Sequence, residues 1–365
     1  MMVRGSHVLL AALLIVTTGS VCLARLADLP TLESKTDIVG LASVVALADF
    51  STGDLLAGGV AALPVSAPAI EEIKTAADDS DGQAAATAAP EPSDAPAAVA
   101  PTPRRIHTDY QKAMLEATES RKMLFIYFHE PQMTVARKAF ETETLPKVEI
   151  QEKLNGYVYL ELPADAQVKI AGKETKLLKH ASFSEMLGRP GLAVVDLAHE
   201  RADYYGHVVS TFPFTPGKYY RREALSIILD LPPGTLTQRT MIYAVRIHPE
   251  APKSTQGQFH GTLAEEAKSH AFYQASIQVQ GHHSWDSRFH RINAKLPNDV
   301  LAQEVVAESW PNETLVEACV ECVDSWRQSP GHWSAVRSRH PLFGYDIKRG
   351  RNGIWYATGI FGRFR

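Results

Sequence analysis

Four side chains in the last third of the chain have the types and spacing to act together: His282, the adjacent His283, Glu304 and His332. Imidazole titrates near neutrality and is a common ligand for divalent metals. Two imidazoles from separate loops and a strand carboxylate suit a divalent ion such as zinc, held by three protein ligands with one position left for water. The metal contacts would then be His282 and His332. If the site is a hydrolase, the ion lowers the pKa of its water and Glu304 accepts the proton. If it is not, the same four residues line a ligand-binding cleft. His282 directly follows Gly281 and is the histidine expected to face the cleft. The plainer reading makes His332 a loop cap, Glu304 a surface acid and His282-His283 a solvent-facing pair. No serine or cysteine nucleophile is placed to compete.

These residues need scaffolding, and the flanking patterns supply it. Leu315, Cys319, Cys322 and Trp326 fall on one face of a predicted helix that runs into Ser329-Pro330-Gly331, so His332 is expected just beyond a turn. Thr262 with Glu265 reads as a capping box. Leu263, Ala267, Ala271, Ala275 and Val279 repeat along one helical face, and Gly281 reads as the stop that releases His282 and His283. Gly344-Tyr345-Asp346-Ile347 and Gly353 to Gly362 read as two closing strands. Cys319 and Cys322 share the apolar stripe with Trp326 and are expected to be buried, reduced thiols. His270, spaced between Ala267 and Ala271, is expected to be a satisfied core histidine. Asn312-Glu313-Thr314 matches a glycosylation sequon, relevant only in a eukaryotic source.

In this order Ser269-His270-Ala271, His282 or His283, Phe289-His290-Arg291-Ile292, Glu304, Trp326 with Ser329 to His332, and Tyr356 to Gly362 resemble the CAP superfamily. That superfamily includes cysteine-rich secretory proteins, antigen 5, pathogenesis-related proteins and their bacterial SCP-like relatives. The resemblance covers about the last third of the chain. It implies an αβα sandwich with a cleft holding His282 (or His283), Glu304 and His332. A second glutamate found after the tryptophan in many relatives has no counterpart, because Arg327, Gln328 and Ser329 follow Trp326.

Upstream, a helical stripe at Tyr110, Met114 and Leu115 precedes Met123 to Phe128, a continuous apolar run suited to a strand buried on both faces. A helix over Thr134 to Phe140, a strand over Gly156 to Leu162, a proline-led strand over Gly188 to Asp196, a strand over Tyr204 to Ser210 and a helix over Tyr219 to Leu229 follow. That order resembles the thioredoxin-like fold, which implies a cis proline at Pro190. The redox pair is missing: His129-Glu130-Pro131-Gln132-Met133 stands after the first strand, with no thiol to attack a disulfide. His129 and Glu130 read as the only ionisable groups at that mouth, on a solvated loop.

The 365-residue chain has a formal charge of -4, which excludes a broad nucleic-acid surface. Arg4, the apolar run from Val8 to Val16, and Cys22 and Ala24 have the layout of a signal peptide over residues 1–24. An uncleaved anchor ranks second, because Thr17 to Ser20 interrupt the apolar run. A lipoprotein acylated at Cys22 ranks third. Three cysteines do not make a disulfide scaffold, and no disulfide partner is expected. Residues 25–105 read as a disordered, Ala/Pro-rich linker. The expected class is α/β: a thioredoxin-like domain (106–231) without its Cys-x-x-Cys pair, a break at Leu231-Pro232-Pro233-Gly234-Thr235, then a CAP-type αβα sandwich (236–365). The expected protein is secreted, periplasmic or envelope-associated and binds a small-molecule, lipid, peptide or wall ligand. A metal-dependent hydrolase is the alternative, and thiol-disulfide exchange is disfavoured.

Overall fold

The apolar run at Met123 to Phe128 becomes the middle of a mixed five-stranded sheet. The computed structural model describes residues 105–170 and 173–365. The signal peptide, its anchor and lipoprotein alternatives, and all of the linker except Arg105 lie outside the described residues. Strands β1 (Ile106–His107), β2 (Met123–His129), β3 (Tyr157–Pro163), β6 (Gly191–Val195) and β7 (Val208–Pro213) are ordered β1-β3-β2-β6-β7. β1, β3 and β2 run parallel, β6 pairs antiparallel with β2, and β7 pairs antiparallel with β6. Between β3 and β6 lies a hairpin, β4 (Gln167–Ile170) and β5 (Lys173–Lys176), that the sequence pattern did not show. The alternation of β2 explains its composition. Leu124, Ile126 and Phe128 bury against Ala113, Met114 and Ala117 of α1 (Tyr110–Ser120), while Phe125 and Tyr127 enter the main core on the other face.

Helix α2 (Val135–Ala139) continues through a π-helical turn at Phe140–Thr144, and α3 (Val148–Leu154) and α4 (Arg222–Leu229) complete this part. Several expected boundaries move. The strand placed at Tyr204 to Ser210 begins at Val208, because Asp196 accepts the amides of Ala198 and His199 and folds the intervening residues into turns. The helix expected from Tyr219 begins at Arg222; the rings of Tyr219 and Tyr220 pack on Phe214 instead. No described peptide bond is cis, so Pro190 departs from the cis form implied by the thioredoxin-like resemblance. The mouth beyond β2 holds more charge than His129 and Glu130. Glu141 accepts hydrogen bonds from Tyr127 Oη at 3.1 Å and Arg137 Nε at 2.6 Å, closing a small polar cluster there.

The second sheet is built from β8 (Gln258–Phe259), β9 (Val300–Glu308), β10 (Leu342–Arg349) and β11 (Trp355–Phe364), ordered β8-β10-β11-β9. Helices α6 (Gly261–Ile277) and α7 (Trp285–Asn293) cover one face, where Leu263, Ala267 and Ile292 meet Val300, Ala302 and Ile360. On the other face α5 (Leu236–Ile247) and α8 (Leu315–Gln328) bury Ile242, Cys319, Cys322 and Trp326 against Val305, Tyr345 and Phe361. The layers are therefore helix, sheet, helix. Gly344 lets α6 lie close on the sheet, since a Cβ there would stand 2.3 Å from the backbone nitrogen of Ala264.

The break at Leu231 to Thr235 is present, yet the core does not divide at it. Phe125, Phe212 and Ile228 belong to the same buried cluster as Ile242, Tyr243, Trp326 and Tyr345. Phe212 of β7 meets Tyr243 of α5 edge-on, with centroids 4.6 Å apart. Arg239 of α5 is fully buried and reaches back across the break, donating to Ser210 Oγ and to the carbonyls of Leu231 and Pro232.

Three local signals were misplaced. Thr262 and Glu265 form no capping box, because α6 starts at Gly261 with His260 as its cap; the boxes are Thr235 with Gln238 and Thr314 with Glu317. Gln278, at φ 57°, ends α6 in place of Gly281, and Val279 is exposed. Pro330 is the first residue of a further helix, α9 (Pro330–Arg337), so His332 lies in a helical first turn and not in a loop.

Candidate functional site

Glu304 lies on β9, the outermost strand of the second sheet, on the face covered by α6 and α7. A buried carboxylate must be paired, and Glu304 is paired twice. Arg288 of α7 grips it in a bidentate fork, with Nη1 3.1 Å from Oε1 and Nη2 on Oε2. His282 Nδ1 lies 3.0 Å from Oε1. A carboxylate only accepts, so Nδ1 carries a proton and Nε2 is turned outward. Nε2 of His282 lies 3.3 Å from Nε2 of His332.

The loop bearing His282 is anchored from below. Gln278 reverses the chain at the end of α6, and Gln274 Oε1 accepts the Gly281 amide at 3.1 Å. His270, buried in α6, donates from Nε2 to the Gly281 carbonyl at 2.9 Å. The expected core histidine is therefore satisfied, and its bond sets the residue before His282. His332 arrives from the far side of β9, held by the first turn of α9, whose Trp333 is buried and donates to Glu250 at 3.1 Å.

Burial pushes the Glu304 carboxyl upward, but hydrogen bonds from His282 and Arg288 and the guanidinium charge outweigh it and hold the carboxyl below its usual range. His270 is pushed down to about 4, chiefly by burial, against the pull of Glu304. His332 is also lowered, by burial and then by the neighbouring His282. Near neutrality the centre is one buried ion pair with neutral imidazoles at His270 and His332.

Around this centre opens a cleft of ≈ 540 Å³ lined by His282, Trp285, Phe289, Ala302, Gln303, Glu304 and Arg363. Trp285 and Phe289 pack edge-on at 5.8 Å along one wall. That volume lies within the range of small-molecule sites, roughly 300–1,000 Å³.

The structure thus brings His282, Glu304 and His332 together and leaves His283 out. His283 turns back to the Val279 carbonyl at 3.1 Å and packs edge-on against Tyr273. The Glu304 carboxylate is not free to serve as a third metal ligand in this arrangement. Both Glu304 oxygens are engaged and its side chain is 1 % exposed. Among the described residues no group of three His, Cys, Asp or Glu side chains converges on a metal position. The two Nε2 atoms do fit a shared ion: ligands about 2.0–2.1 Å from a tetrahedral zinc lie about 3.4 Å apart. Glu304 belongs behind His282, as the carboxylate that orients a ligating imidazole. Sequence reasoning missed Arg288, Trp285 and Arg363 and gave Phe289 no role. Arg288 had a signal: it shares a helical face with Trp285, Phe289 and Ile292, and a charge on an apolar stripe requires a buried partner.

Fold and site together define a mixed α/β protein with an Arg–Glu–His relay at the open edge of a sheet. No family model matches the chain, and no curated protein matches it. Among solved structures it is similar to an outer surface protein from Borrelia burgdorferi, with 20% identity and a TM-score of 0.25, over 30% of this chain and 78% of that one. At that score the likeness carries no argument. No helix among the described residues is long and apolar enough to cross a membrane.

Proposed function

We propose that residues 236–365 are a CAP-type ligand-binding module, carried on an exported chain behind a redox-inactive thioredoxin-like module. The helix–sheet–helix layering and the placement of the quoted motif residues support the first part. The order of elements over 106–231 supports the second. One observation carries the functional reading: Glu304, clamped by Arg288, holds His282, which lines a ligand-sized cleft and lies 3.3 Å from His332. Such a centre offers a directed hydrogen bond at the His282 imidazole beside an aromatic wall, which suits binding a ligand by shape and polarity.

The test is a titration of the purified full chain with fatty acids, sterols, wall glycan fragments and short peptides, followed through the imidazole resonances of His282 and His332. At least one class should shift both resonances. Silence across all four sinks the reading.

The metal reading draws on the Nε2 to Nε2 separation alone. His282 and His332 would hold the ion, which when bound would supply Lewis acidity to a coordinated oxygen. Glu304 would keep the Nδ1 proton on His282, and its two engaged oxygens make it unsuited to accept a proton from water. Binding is therefore the better-supported function than hydrolysis.

A further inference from the structure

The cleft runs along a sheet edge whose backbone is partly unused. In an antiparallel pair, residues alternate between turning both backbone polar groups toward the partner strand and turning both away. Ser309 turns inward, its amide bonded to the Trp355 carbonyl at 2.9 Å. Ala302 and Val306 turn outward: the Ala302 amide donates to Asn293 Oδ1 at 2.9 Å and the Val306 carbonyl accepts from Gln280 Nε2 at 3.4 Å. Glu304 lies midway between them, so its N–H and C=O also point away from β11, into the cleft. Its exposure agrees: the residue is 7 % accessible and its side chain 1 %, so what it shows to solvent is largely backbone. Asn293 and Gln280 therefore bracket a short stretch of unpaired strand edge.

The walls of that stretch differ. Trp285 and Phe289 form an apolar wall from α7, while Arg363, exposed and level with Leu301 in the register of β11 on β9, contributes a cation. No carboxylate partner is found for Arg363 among the described residues.

We propose that the cleft receives an extended acidic peptide, which pairs as an added strand with the N–H and C=O of Glu304. An apolar side chain of the peptide lies on Trp285 and Phe289, and a carboxylate three residues away, on the opposite face of the added strand, is held by Arg363. Strand addition at an open edge supplies affinity through main-chain hydrogen bonds, and alternate side chains supply selectivity. This inference rests on the cleft being the binding site and narrows its ligand to one class.

The probe is a fluorescein-labelled hexapeptide library, acidic at one position and aromatic or aliphatic at another, read by anisotropy against the full chain. Acidic members should bind. For the best member, methylating backbone nitrogens one at a time should weaken binding at one position only, that of the amide donating to the Glu304 carbonyl. Arg363→Gln, at an exposed position, should weaken acidic peptides roughly tenfold or more and leave their amide analogues unchanged. Any of three results overturns the proposal: no hexapeptide binds, methylation weakens all positions equally or none, or Arg363→Gln affects acid and amide alike. Concentration-dependent dimerisation abolished by Arg363→Glu would assign the edge to a second copy of the chain and would also overturn it. A lipid or glycan that shifts His282 and His332 while every peptide fails removes this inference and leaves the binding module standing.

Discussion

Replacing Arg288 by methionine tests whether the buried ion pair organises the site. The Arg288 side chain is 9 % exposed and that of Glu304 1 %, so the substitution strands a carboxylate in the interior. Breaking a buried pair from one side costs about 3–5 kcal/mol. The pH dependence follows from the same geometry. In the native protein the Glu304 carboxyl is held below its usual value, so the pair contributes stability above the unfolded value of about 4.3. That contribution is lost as pH falls through the lower folded value. In Arg288→Met burial acts with only His282 and His270 opposing it, the folded value should rise above the unfolded one, and the penalty grows as pH rises. Urea unfolding should therefore show a deficit of about 3–5 kcal/mol at pH 7 that contracts markedly by pH 4. Arg288→Met/Glu304→Met should recover most of it, because an apolar pair needs no desolvation. A single-variant cost below about 1 kcal/mol at pH 7, or a double variant no more stable than the single, would refute the reasoning.

Four further outcomes are expected. Since burial holds His270 down to about 4, the unfolded chain takes up its proton first as pH falls, and stability should decline between about 6.5 and 4; His270→Gln should flatten that decline in pH-dependent urea curves. On the metal reading, equilibrium dialysis should show zinc uptake that is lost in His332→Ala and weakened about 10- to 100-fold in Glu304→Gln, the size expected for a carboxylate behind a ligand. Arg239→Met leaves the Leu231 and Pro232 carbonyls and the Ser210 hydroxyl without their donor and should cost about 3 kcal/mol or more by thermal unfolding; the shared core predicts that both sheets still melt in one transition. Cys319 and Cys322 are buried, and burial pushes both thiols well up, so a thiol reagent should reach them only after denaturant is added, and insulin reduction should be absent.

Patterns with one physical solution were legible in the sequence. The run from Met123 to Phe128 has no polar face, so it could only be a strand covered on both sides, and it is. The stripe of Leu315, Cys319, Cys322 and Trp326 fixed the buried face of its helix and the inert state of its thiols. His282 was preferred over His283 from its position after Gly281, and the structure puts His282 beside Glu304. Helix boundaries were less legible, because Gln278 adopts a left-handed conformation usually left to glycine and Pro330 opens a helix as readily as it stops one.

The amino-acid order by itself determined which segments bury which faces, and which side chains are able to do chemistry. It did not determine the role of Glu304. In sequence that residue is a carboxylate among histidines; in space Arg288 neutralises it, and it becomes the group that orients His282. Nor did it show that the core runs unbroken past Leu231 to Thr235, or that the backbone of Glu304 faces an open cleft. The physical reason is common to all three: hydrophobic periodicity is a local property of a helix or strand, whereas charge pairing, strand register and an open sheet edge depend on segments distant in the chain.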